Sequence, residues 1–222
     1  MCVNYRPPEI QFFDSMHVPR AIDLTWPEET WQDYDAPIIR RSESGREMIL
    51  ASYGMVPKRH LPPGGPRITT LNARAETIGE RRAYAKPWRQ AQLCLVPMEA
   101  FYEPRWEDGK HERWRIGMAD DSTFAVAGLW RSWDEPDGST SHSFTQITIN
   151  ADAHPLMKSF HKPEDEKRSL VIVPESEYDD WLESTDPERA RSYLQLYPAE
   201  LMAARPAPRP PKTRQTDQPS LI

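Results

Sequence analysis

Apolar runs along the chain predict a protein built mainly from β-strands. "REMILASYG" (46–54) has the pattern of a buried strand that ends at a glycine, and "SLVIV" (169–173) is a second continuous apolar run. "RITTL" (67–71) is a further short strand candidate, preceded by the breaker "PPGGP". Strand-like runs follow one another through the middle of the chain: "QLCLVP", "EAFYEPRW", "ERWRIGM", "TFAVAGLWRSW" and "SFTQITINA". Short strands separated by turns such as "EDGK" favour a mostly antiparallel sheet.

Helical patterns are few and short. "NARAETIGERRAYAKPW" (72–88) contains helix formers after a candidate N-cap at Asn72, and Pro87 limits its length. "PESEYDDWLEST" and "PERARSYLQLY" have amphipathic spacing and a proline near the start. With about eight strands, three or four short helices and no regular strand–helix alternation, we predict an α+β fold whose mostly antiparallel sheet closes into a barrel-like core.

The length and composition predict one folded domain followed by a tail. A chain of 222 residues can bury one good core, and residues 1–202 are predicted to form it. Residues 203–222 are rich in proline and basic side chains and are predicted to be disordered. No apolar run reaches the roughly 18 residues that a transmembrane helix needs, and no secretory signal pattern is present. Two cysteines without zinc-type spacing favour a reduced, cytosolic protein without a structural metal.

Charge is unevenly distributed along the chain. The net charge is −6, yet residues 51–100 hold eight Lys/Arg against three acidic residues, whereas residues 151–200 hold six against twelve. A basic stripe on an acidic body fits a limited contact with phosphates. A chance cluster of solvated side chains is the alternative interpretation.

The opening "MCVNY" places a cysteine directly behind the initiator methionine. If Met1 is removed, Cys2 carries a free α-amine beside its thiol. With a pKa of about 7.7–8.0, a useful fraction of such an amine is nucleophilic at neutral pH and can form a Schiff base with an aldehyde. The thiol can then close onto the imine carbon to give a five-membered thiazolidine ring. The alternative is that Cys2 is an ordinary second residue.

A second candidate is the motif "LNARAET" (71–77). If this segment is a helix or a tight turn, Asn72 and Glu76 lie four residues apart with Arg74 between them. An amide, a guanidinium and a carboxylate at one strand end suit the binding of a phosphate and the orientation of an amine. A helix cap followed by a surface ion pair would produce the same pattern.

Two further motifs contribute proton-transfer candidates. In the strand "EAFYEPRW" (99–106), Glu103 is flanked by aromatic and apolar residues, which suits an acid–base role. In "SFHKPEDEKRS" (159–169), His161 lies in a charged loop just before a buried strand, and histidine is the commonest acid–base residue. His154 is its rival. A solvated carboxylate and a structural histidine are the ordinary alternatives.

Taken together and in order, "MC", "LNARAET", "FYEPRW" and "FHKP…EKRS" resemble the SOS response-associated peptidase (SRAP) family of abasic-site processing proteins. The resemblance runs from Cys2 to about Pro174. It implies a barrel-like domain that recognises abasic sites in single-stranded DNA and cross-links to them covalently. In this scheme Met1 is lost, and Cys2 traps the ring-opened sugar aldehyde as a thiazolidine that shields the lesion. The family also implies autoproteolytic removal of Met1 and a DNA lyase side activity.

The resemblance assigns a role to each matching residue. Cys2 is the reactive aminothiol, Asn72 positions the amine or the ring, Glu103 is the acid–base residue, and His161 assists ring opening. The expected DNA contacts are Arg74 on a phosphate, Tyr53 and Met55 as apolar support for bases, and the basic residues Arg67, Arg82 and Lys86. No cofactor or metal is implied. The expected partner is single-stranded DNA with abasic sites, the expected state is a monomer, and the expected location is the bacterial cytoplasm, at the nucleoid when bound to DNA.

Two other functions remain open at this point. The sequence departs from the family pattern at Val3 and Asn4, where many members have glycine and arginine, and in its more charged histidine loop. One alternative is an N-terminal-nucleophile cysteine amidohydrolase with Asn72 in the oxyanion hole. The other is a catalytically inert module that binds single-stranded DNA through basic and aromatic side chains.

Overall fold

Twelve strands and four α-helices make up the regular structure that the computed structural model describes in residues 2–21, 23–64 and 68–209. The strands are β1 (Tyr5–Arg6), β2 (Asp35–Ser42), β3 (Gly45–Tyr53), β4 (Asn72–Arg74), β5 (Leu93–Met98), β6 (Ala100–Glu107), β7 (Lys110–Met118), β8 (Phe124–Asp134), β9 (Thr140–Asn150), β10 (Arg168–Leu170), β11 (Ile172–Val173) and β12 (Met202–Pro206). The helices are α1 (Ile10–Ser15), α2 (Ala85–Arg89), α3 (Tyr178–Glu183) and α4 (Pro187–Ser192).

Five of these strands close into a barrel. The pairing order is β9-β3-β2-β5-β8, and β8 pairs back to β9. Four of the five pairings are antiparallel, and the β3–β9 pairing is parallel. Strands β4, β10 and β11 add to the barrel strands at their margins. The predicted α+β class, with a mostly antiparallel sheet closing into a barrel-like core, is confirmed.

A second, smaller sheet is antiparallel throughout and has the order β1-β6-β7-β12. Its first edge strand, β1, carries the start of the described chain, because Tyr5 pairs with Phe101 of β6. Its other edge strand is β12. The chain therefore brings its first and last described strands into one sheet, with β6 and β7 between them.

Both faces of the barrel strands are covered by apolar side chains. Along β5, Leu93 and Leu95 belong to one hydrophobic cluster, while Cys94 and Val96 belong to another. The first cluster includes the buried aromatic residues of α2 and α3, and the second includes residues of the smaller sheet and Cys2 itself. Because both faces are buried, these strands appear in the sequence as continuous apolar runs rather than as alternating ones.

The segment 67–88 differs from its prediction. The expected strand 67–71 is not formed by residues 68–71, and the expected long helix from Asn72 is replaced by β4, a short 3₁₀ turn at Ala75–Thr77 and the brief helix α2. Strand β4 pairs in parallel with β9, so tertiary pairing outweighs the local helix propensity of "NARAET". The helix α1 and the long strand β2 in the first 45 residues were not predicted.

The predicted boundary of the C-terminal tail is wrong. Residues Met202–Pro206 form β12, and all five pair with β7, so folded structure continues past the boundary at 202. Just beyond this strand, the Ala207 N–H donates to the Arg113 carbonyl oxygen at 2.8 Å. The small side chains of Ala203 and Ala204 suit an edge strand despite the proline-rich composition around them. The rest of the predicted tail, residues 210–222, lies outside the described residues.

Gly128 lies where three barrel strands meet, paired with Cys94 of β5 and with Gln146 of β9. A Cβ atom at this position would lie 2.8 Å from the Cys94 Sγ and 2.8 Å from the Thr145 carbonyl oxygen. We therefore expect Gly128→Ala to lower the free energy of unfolding by about 1–3 kcal/mol through overpacking. Urea denaturation measures the loss.

The matched control is Gly79→Ala. Its added Cβ would meet the Trp88 ring edge at 3.3 Å and no backbone atom among its nearest neighbours. This variant should keep its unfolding free energy within about 1 kcal/mol of the parent. Equal stability of both variants would contradict the close packing of β5, β8 and β9.

Candidate active site

Cys2 is buried between the barrel and the smaller sheet, with 1% of its surface exposed. Its backbone carbonyl oxygen accepts two hydrogen bonds, from the Asn72 Nδ2 at 2.7 Å and from the Tyr53 hydroxyl at 3.3 Å. Its thiol donates to the carbonyl oxygen of Asn4 at 3.2 Å. Both the backbone and the side chain of residue 2 are therefore held in place by the folded protein.

The barrel places the two side chains that hold the Cys2 carbonyl. Asn72 is the first residue of β4 and is aligned with Gln146 of β9, and the Tyr84 hydroxyl donates to the Asn72 carbonyl oxygen at 3.1 Å. Tyr53 ends β3, and its hydroxyl also lies 3.0 Å from the Gln146 Oε1. Strand pairing thus brings Tyr53 and Asn72, which are 51 and 70 positions from Cys2 in sequence, into contact with it.

Glu103 and His161 form a buried pair. The His161 Nε2 lies 3.1 Å from the Glu103 Oε2, and their side chains are 6% and 3% exposed. Glu103 is held in β6, while the His161 N–H donates to the carbonyl oxygen of Pro104 at 2.9 Å. His161 has a φ of 63°, a left-handed backbone conformation that is uncommon for a residue with a side chain. The β6 backbone therefore anchors both members of the pair.

The rival histidine, His154, has a structural position. Its Nε2 lies 2.8 Å from the Tyr197 carbonyl oxygen, and its Nδ1 accepts hydrogen bonds from the Leu156 and Met157 N–H groups. These contacts use both ring nitrogens to hold the loop before His161. His154 is therefore not available for proton transfer at Cys2.

Electrostatics keep the Cys2 thiol protonated. Burial raises the pKa of the Cys2 thiol well above its ordinary value, and the negative charge of Glu103 raises it further. Glu103 directly follows Tyr102, whose N–H donates to the same Asn4 carbonyl oxygen that accepts the Cys2 thiol. A thiol in this state is a weak nucleophile until a base removes its proton.

An ion-pair network lies beside Asn72 and does not converge on Cys2. Arg168, whose side chain is 2% exposed, contacts the Glu76 Oε2 at 2.8 Å and the Glu166 Oε1 at 2.7 Å. Arg74 contacts the other Glu166 oxygen at 2.6 Å and remains 47% exposed. The hydrogen bond from Arg168 lowers the pKa of Glu166. The network joins the β4 segment to the loop after His161, and the sequence analysis did not identify its centre, Arg168.

The predicted base-stacking role of Tyr53 and Met55 does not fit the structure. Both side chains are fully buried, so neither presents a surface to a nucleotide base. Arg82 and Lys86 are exposed, and the nearby Tyr84 hydroxyl bond to Asn72 attaches their segment to the site. Arg67 lies outside the described residues. The sequence signal that could have pointed to Arg168 is its position in "KRSLVIV", where a basic residue directly precedes the apolar run of a buried strand.

The described ranges contain no cluster of three or more His, Cys, Asp or Glu side chains arranged to hold a metal ion. Within the same ranges, none of the helices has the length and apolar character that crossing a membrane requires.

The fold and site define an α+β barrel protein with a buried cysteine at residue 2. The sequence profile described as SOS response associated peptidase (SRAP) matches residues 25–209, so the chain belongs to this family. The resemblance predicted from the motifs is confirmed.

Curated relatives share part of their length with this chain. The abasic site processing protein YoqW of Bacillus subtilis (strain 168) is 34% identical over 137 residues, which cover 60% of this chain and 58% of YoqW. The abasic site processing protein HMCES of Mus musculus is 24% identical over 136 residues, which cover 49% of this chain and 38% of HMCES. The chain therefore spans less than two thirds of either relative.

Solved structures match most of the chain. A protein from Bordetella bronchiseptica superposes with a TM-score of 0.83 and 32% identity, covering 93% of this chain and 99% of that chain. A protein from Bacteroides thetaiotaomicron superposes with a TM-score of 0.77 and 21% identity, covering 92% of this chain and 91% of that chain. The second likeness supports the fold alone.

The two buried thiols make stability depend on pH above about 8.5, the ordinary pKa of a cysteine. Burial raises the pKa of both Cys2 and Cys94, so the folded protein keeps protons that the unfolded chain releases. Stability is therefore fully present below that pH and falls above it, by about 1.4 kcal/mol per pH unit for each thiol. Urea denaturation between pH 7.5 and 9.5 measures the slope. Cys94→Ala should reduce the slope by the share of one thiol, and an unchanged slope in that variant would contradict the burial of Cys94.

Proposed function

We propose that the protein recognises abasic sites in single-stranded DNA and forms a covalent thiazolidine cross-link with them through Cys2, after removal of Met1. The observation that carries this proposal is the position of Cys2, which is fixed by Asn72 and Tyr53 and shares the Asn4 carbonyl oxygen with Tyr102, the residue before Glu103. Membership of the SRAP family and the similarity to proteins named abasic site processing proteins support the same substrate.

The first chemical stage is opening of the sugar and formation of an imine. A closed abasic deoxyribose is a hemiacetal, and opening it requires removal of the hydroxyl proton and delivery of a proton to the ring oxygen. Glu103 and His161 are the acid–base pair for this step. The neutral amine of Cys2 then attacks the aldehyde carbon, and loss of one water molecule gives the imine.

The second stage closes the ring. The thiol adds to the imine carbon, so a C–S bond forms while the sulfur proton moves to the imine nitrogen, and no oxidant or reductant is consumed. Because the pKa of the thiol is raised, the amine reacts first and the thiol needs a base. Glu103 has the position and charge for this role. Ring closure removes the imine, which would otherwise promote β-elimination and strand cleavage, the lyase side reaction.

Asn72 and Tyr53 orient the reacting residue. Both donate to the Cys2 carbonyl oxygen and so fix the plane of the peptide that follows the amine. The Asn72 Oδ1 is buried and has no hydrogen-bond partner among the described residues. An acceptor in this position suits an N–H of the Cys2 amine, which supports the positioning role that the family motif assigns to Asn72.

The competing functions fit this geometry less well. A cysteine amidohydrolase needs a free oxyanion donor, but the Asn72 Nδ2 is already bonded to the Cys2 carbonyl oxygen. An inert DNA-binding module gives no reason to bury a Glu–His pair beside this thiol. That module would bind DNA equally well after Cys2→Ala.

Replacing the sulfur tests the ring mechanism directly. Cys2→Ser keeps the amine and can still form the imine, but it cannot close a sulfur ring. We expect the wild-type protein to form a heat-stable adduct with an abasic single-stranded oligonucleotide, and the variant to give a labile adduct or strand cleavage. Denaturing gels show the adduct and the cleaved strand, and intact mass spectrometry reports both loss of Met1 and adduct mass.

Cys94→Ser is the matched control, because it removes the other buried thiol from a position outside the site. It should cross-link like the wild type once the melting curve shows that it is folded. A heat-stable adduct from Cys2→Ser, or full activity in a protein that retains Met1, would overturn the proposal.

Arg74 is proposed to contact a DNA phosphate. Its guanidinium uses one nitrogen for Glu166 and is 47% exposed, which leaves donors for an incoming anion. Arg74→Gln should weaken binding of undamaged single-stranded DNA and reduce the salt slope, d log K/d log [salt], by about 0.7. Fluorescence anisotropy at several salt concentrations measures this slope. Arg189→Gln, the same charge change on α4, should leave it unchanged, and equal effects of the two variants would exclude a specific contact.

A further inference from the structure

A second chain of contacts, separate from those of Asn72 and Tyr53, holds the residues that follow Cys2. Asn4 is 3% exposed, and its carbonyl oxygen accepts both the Cys2 thiol at 3.2 Å and the Tyr102 N–H at 3.3 Å. Its side-chain Nδ2 donates to the Glu29 Oε2 at 2.9 Å. Val3, between them, is 48% exposed. Of these two residues, Asn4 is therefore the one that ties the reactive segment to the rest of the protein.

Glu29 is itself fixed. Its second carboxylate oxygen, Oε1, lies 2.6 Å from the Nη2 atom of Arg113, a residue of β7. The Arg113 guanidinium lies 3.4 Å from the centre of the Tyr102 ring. The Nη1 atom of Arg113 donates to the Ala207 carbonyl oxygen at 3.3 Å. Each carboxylate oxygen of Glu29 thus has a different donor, and both donors are well anchored.

The backbone reinforces this arrangement. Thr30, which follows Glu29, exchanges two hydrogen bonds with Tyr5, which follows Asn4. The N–H of Thr30 donates to the Tyr5 carbonyl oxygen at 2.8 Å, and the N–H of Tyr5 donates to the Thr30 carbonyl oxygen at 3.3 Å. The Glu29 segment therefore lies against the start of β1 in a fixed register, with its carboxylate directed to Asn4.

We propose that Glu29 and Arg113 are positioning residues for the Cys2 aminothiol and act on it through Asn4. The inference rests on the proposed cross-linking function. Asn72 and Tyr53 hold the carbonyl of residue 2, and Asn4 holds the chain two residues later. Attachment at both residue 2 and residue 4 fixes the direction of the amine and of the thiol. Attachment at residue 2 alone would allow the segment from Cys2 to Asn4 to rotate. Misplacement of a reacting group by about 1 Å can cost about 100-fold in rate.

Charge compensation explains the choice of Arg113. The Glu29 side chain is partly buried, and a carboxylate taken out of water without a cation beside it carries a desolvation cost. Arg113 neutralises Glu29, so the anchor orients Cys2 without adding net charge. The mechanism thereby leaves Glu103 as the base that acts on the sulfur.

The sharpest variant is Glu29→Gln. A carboxylate accepts from both Asn4 and Arg113 with full negative charge. A glutamine can keep its oxygen on Arg113 only if its amide faces Asn4, whose own amide must then turn over and accept, so weaker neutral hydrogen bonds replace the charge-assisted ones. We expect the maximum rate of adduct formation with an abasic oligonucleotide to fall about 10-fold, while the half-saturating DNA concentration stays unchanged. Rapid-quench cross-linking over a series of DNA concentrations separates the two quantities.

Two further variants distinguish positioning from a general loss of structure. Glu28→Gln makes the same charge change at the neighbouring position, where the side chain is 73% exposed, and should react at the wild-type rate. The double variant Asn4→Asp with Glu29→Gln puts a carboxylate back between the two side chains, and so restores a charge-assisted hydrogen bond of reversed direction and the wild-type net charge. It should recover most of the lost rate. A wild-type rate in Glu29→Gln, or no recovery in the double variant, would overturn the inference.

A measurement without DNA keeps this test separate from that of the proposed function. Iodoacetamide alkylation of Cys2, quantified by peptide mass against Cys94 in the same molecule, reports how firmly the segment is held. Glu29→Gln should raise the Cys2/Cys94 ratio several-fold, and the double variant should lower it again. If the wild-type protein forms no DNA adduct, the cross-linking proposal fails, and an unchanged ratio in Glu29→Gln would then reject the positioning role on its own.

Discussion

Residue 2 lies in the core, and its backbone carbonyl oxygen must find hydrogen-bond donors inside the protein, because an unpaired buried carbonyl is costly. The donors come from the ends of two strands that pair with β9, Asn72 at the start of β4 and Tyr53 at the end of β3. Each reaches Cys2 only if β3 and β4 keep their parallel pairing with β9. The geometry at Cys2 therefore depends on the closure of the barrel.

The smaller sheet supplies the remaining part of the site. Strand β6 carries Glu103 and also fixes His161 through the carbonyl of Pro104, so one strand sets the separation of the pair. The buried Arg168 then connects the β4 segment to the loop that follows His161. A buried guanidinium needs both of its carboxylate partners, which makes the two segments mechanically dependent on each other. The barrel and the smaller sheet thus position one group of side chains jointly.

The sequence predicted the features that depend on local pattern. Strands buried on both faces, such as β5, were visible as continuous apolar runs, and the motifs around Asn72, Glu103 and His161 identified the family. Strand β4 was missed, because three residues with helix-forming neighbours become a strand only through pairing with β9. The contact between Glu29 and Arg113 spans 84 positions and leaves no local pattern. Tyr53 was assigned to a surface, since aromatic character alone does not show that a hydroxyl is needed inside the core.

The raised pKa of the buried Cys2 thiol also affects its chemistry in the absence of a substrate. Hydrogen peroxide oxidises thiolates to sulfenic acid far more readily than it oxidises thiols, and access to the sulfur is a further requirement. A protonated sulfur with 1% of its residue exposed meets neither condition. The fold therefore keeps the Cys2 sulfur in a form that resists oxidation by peroxide.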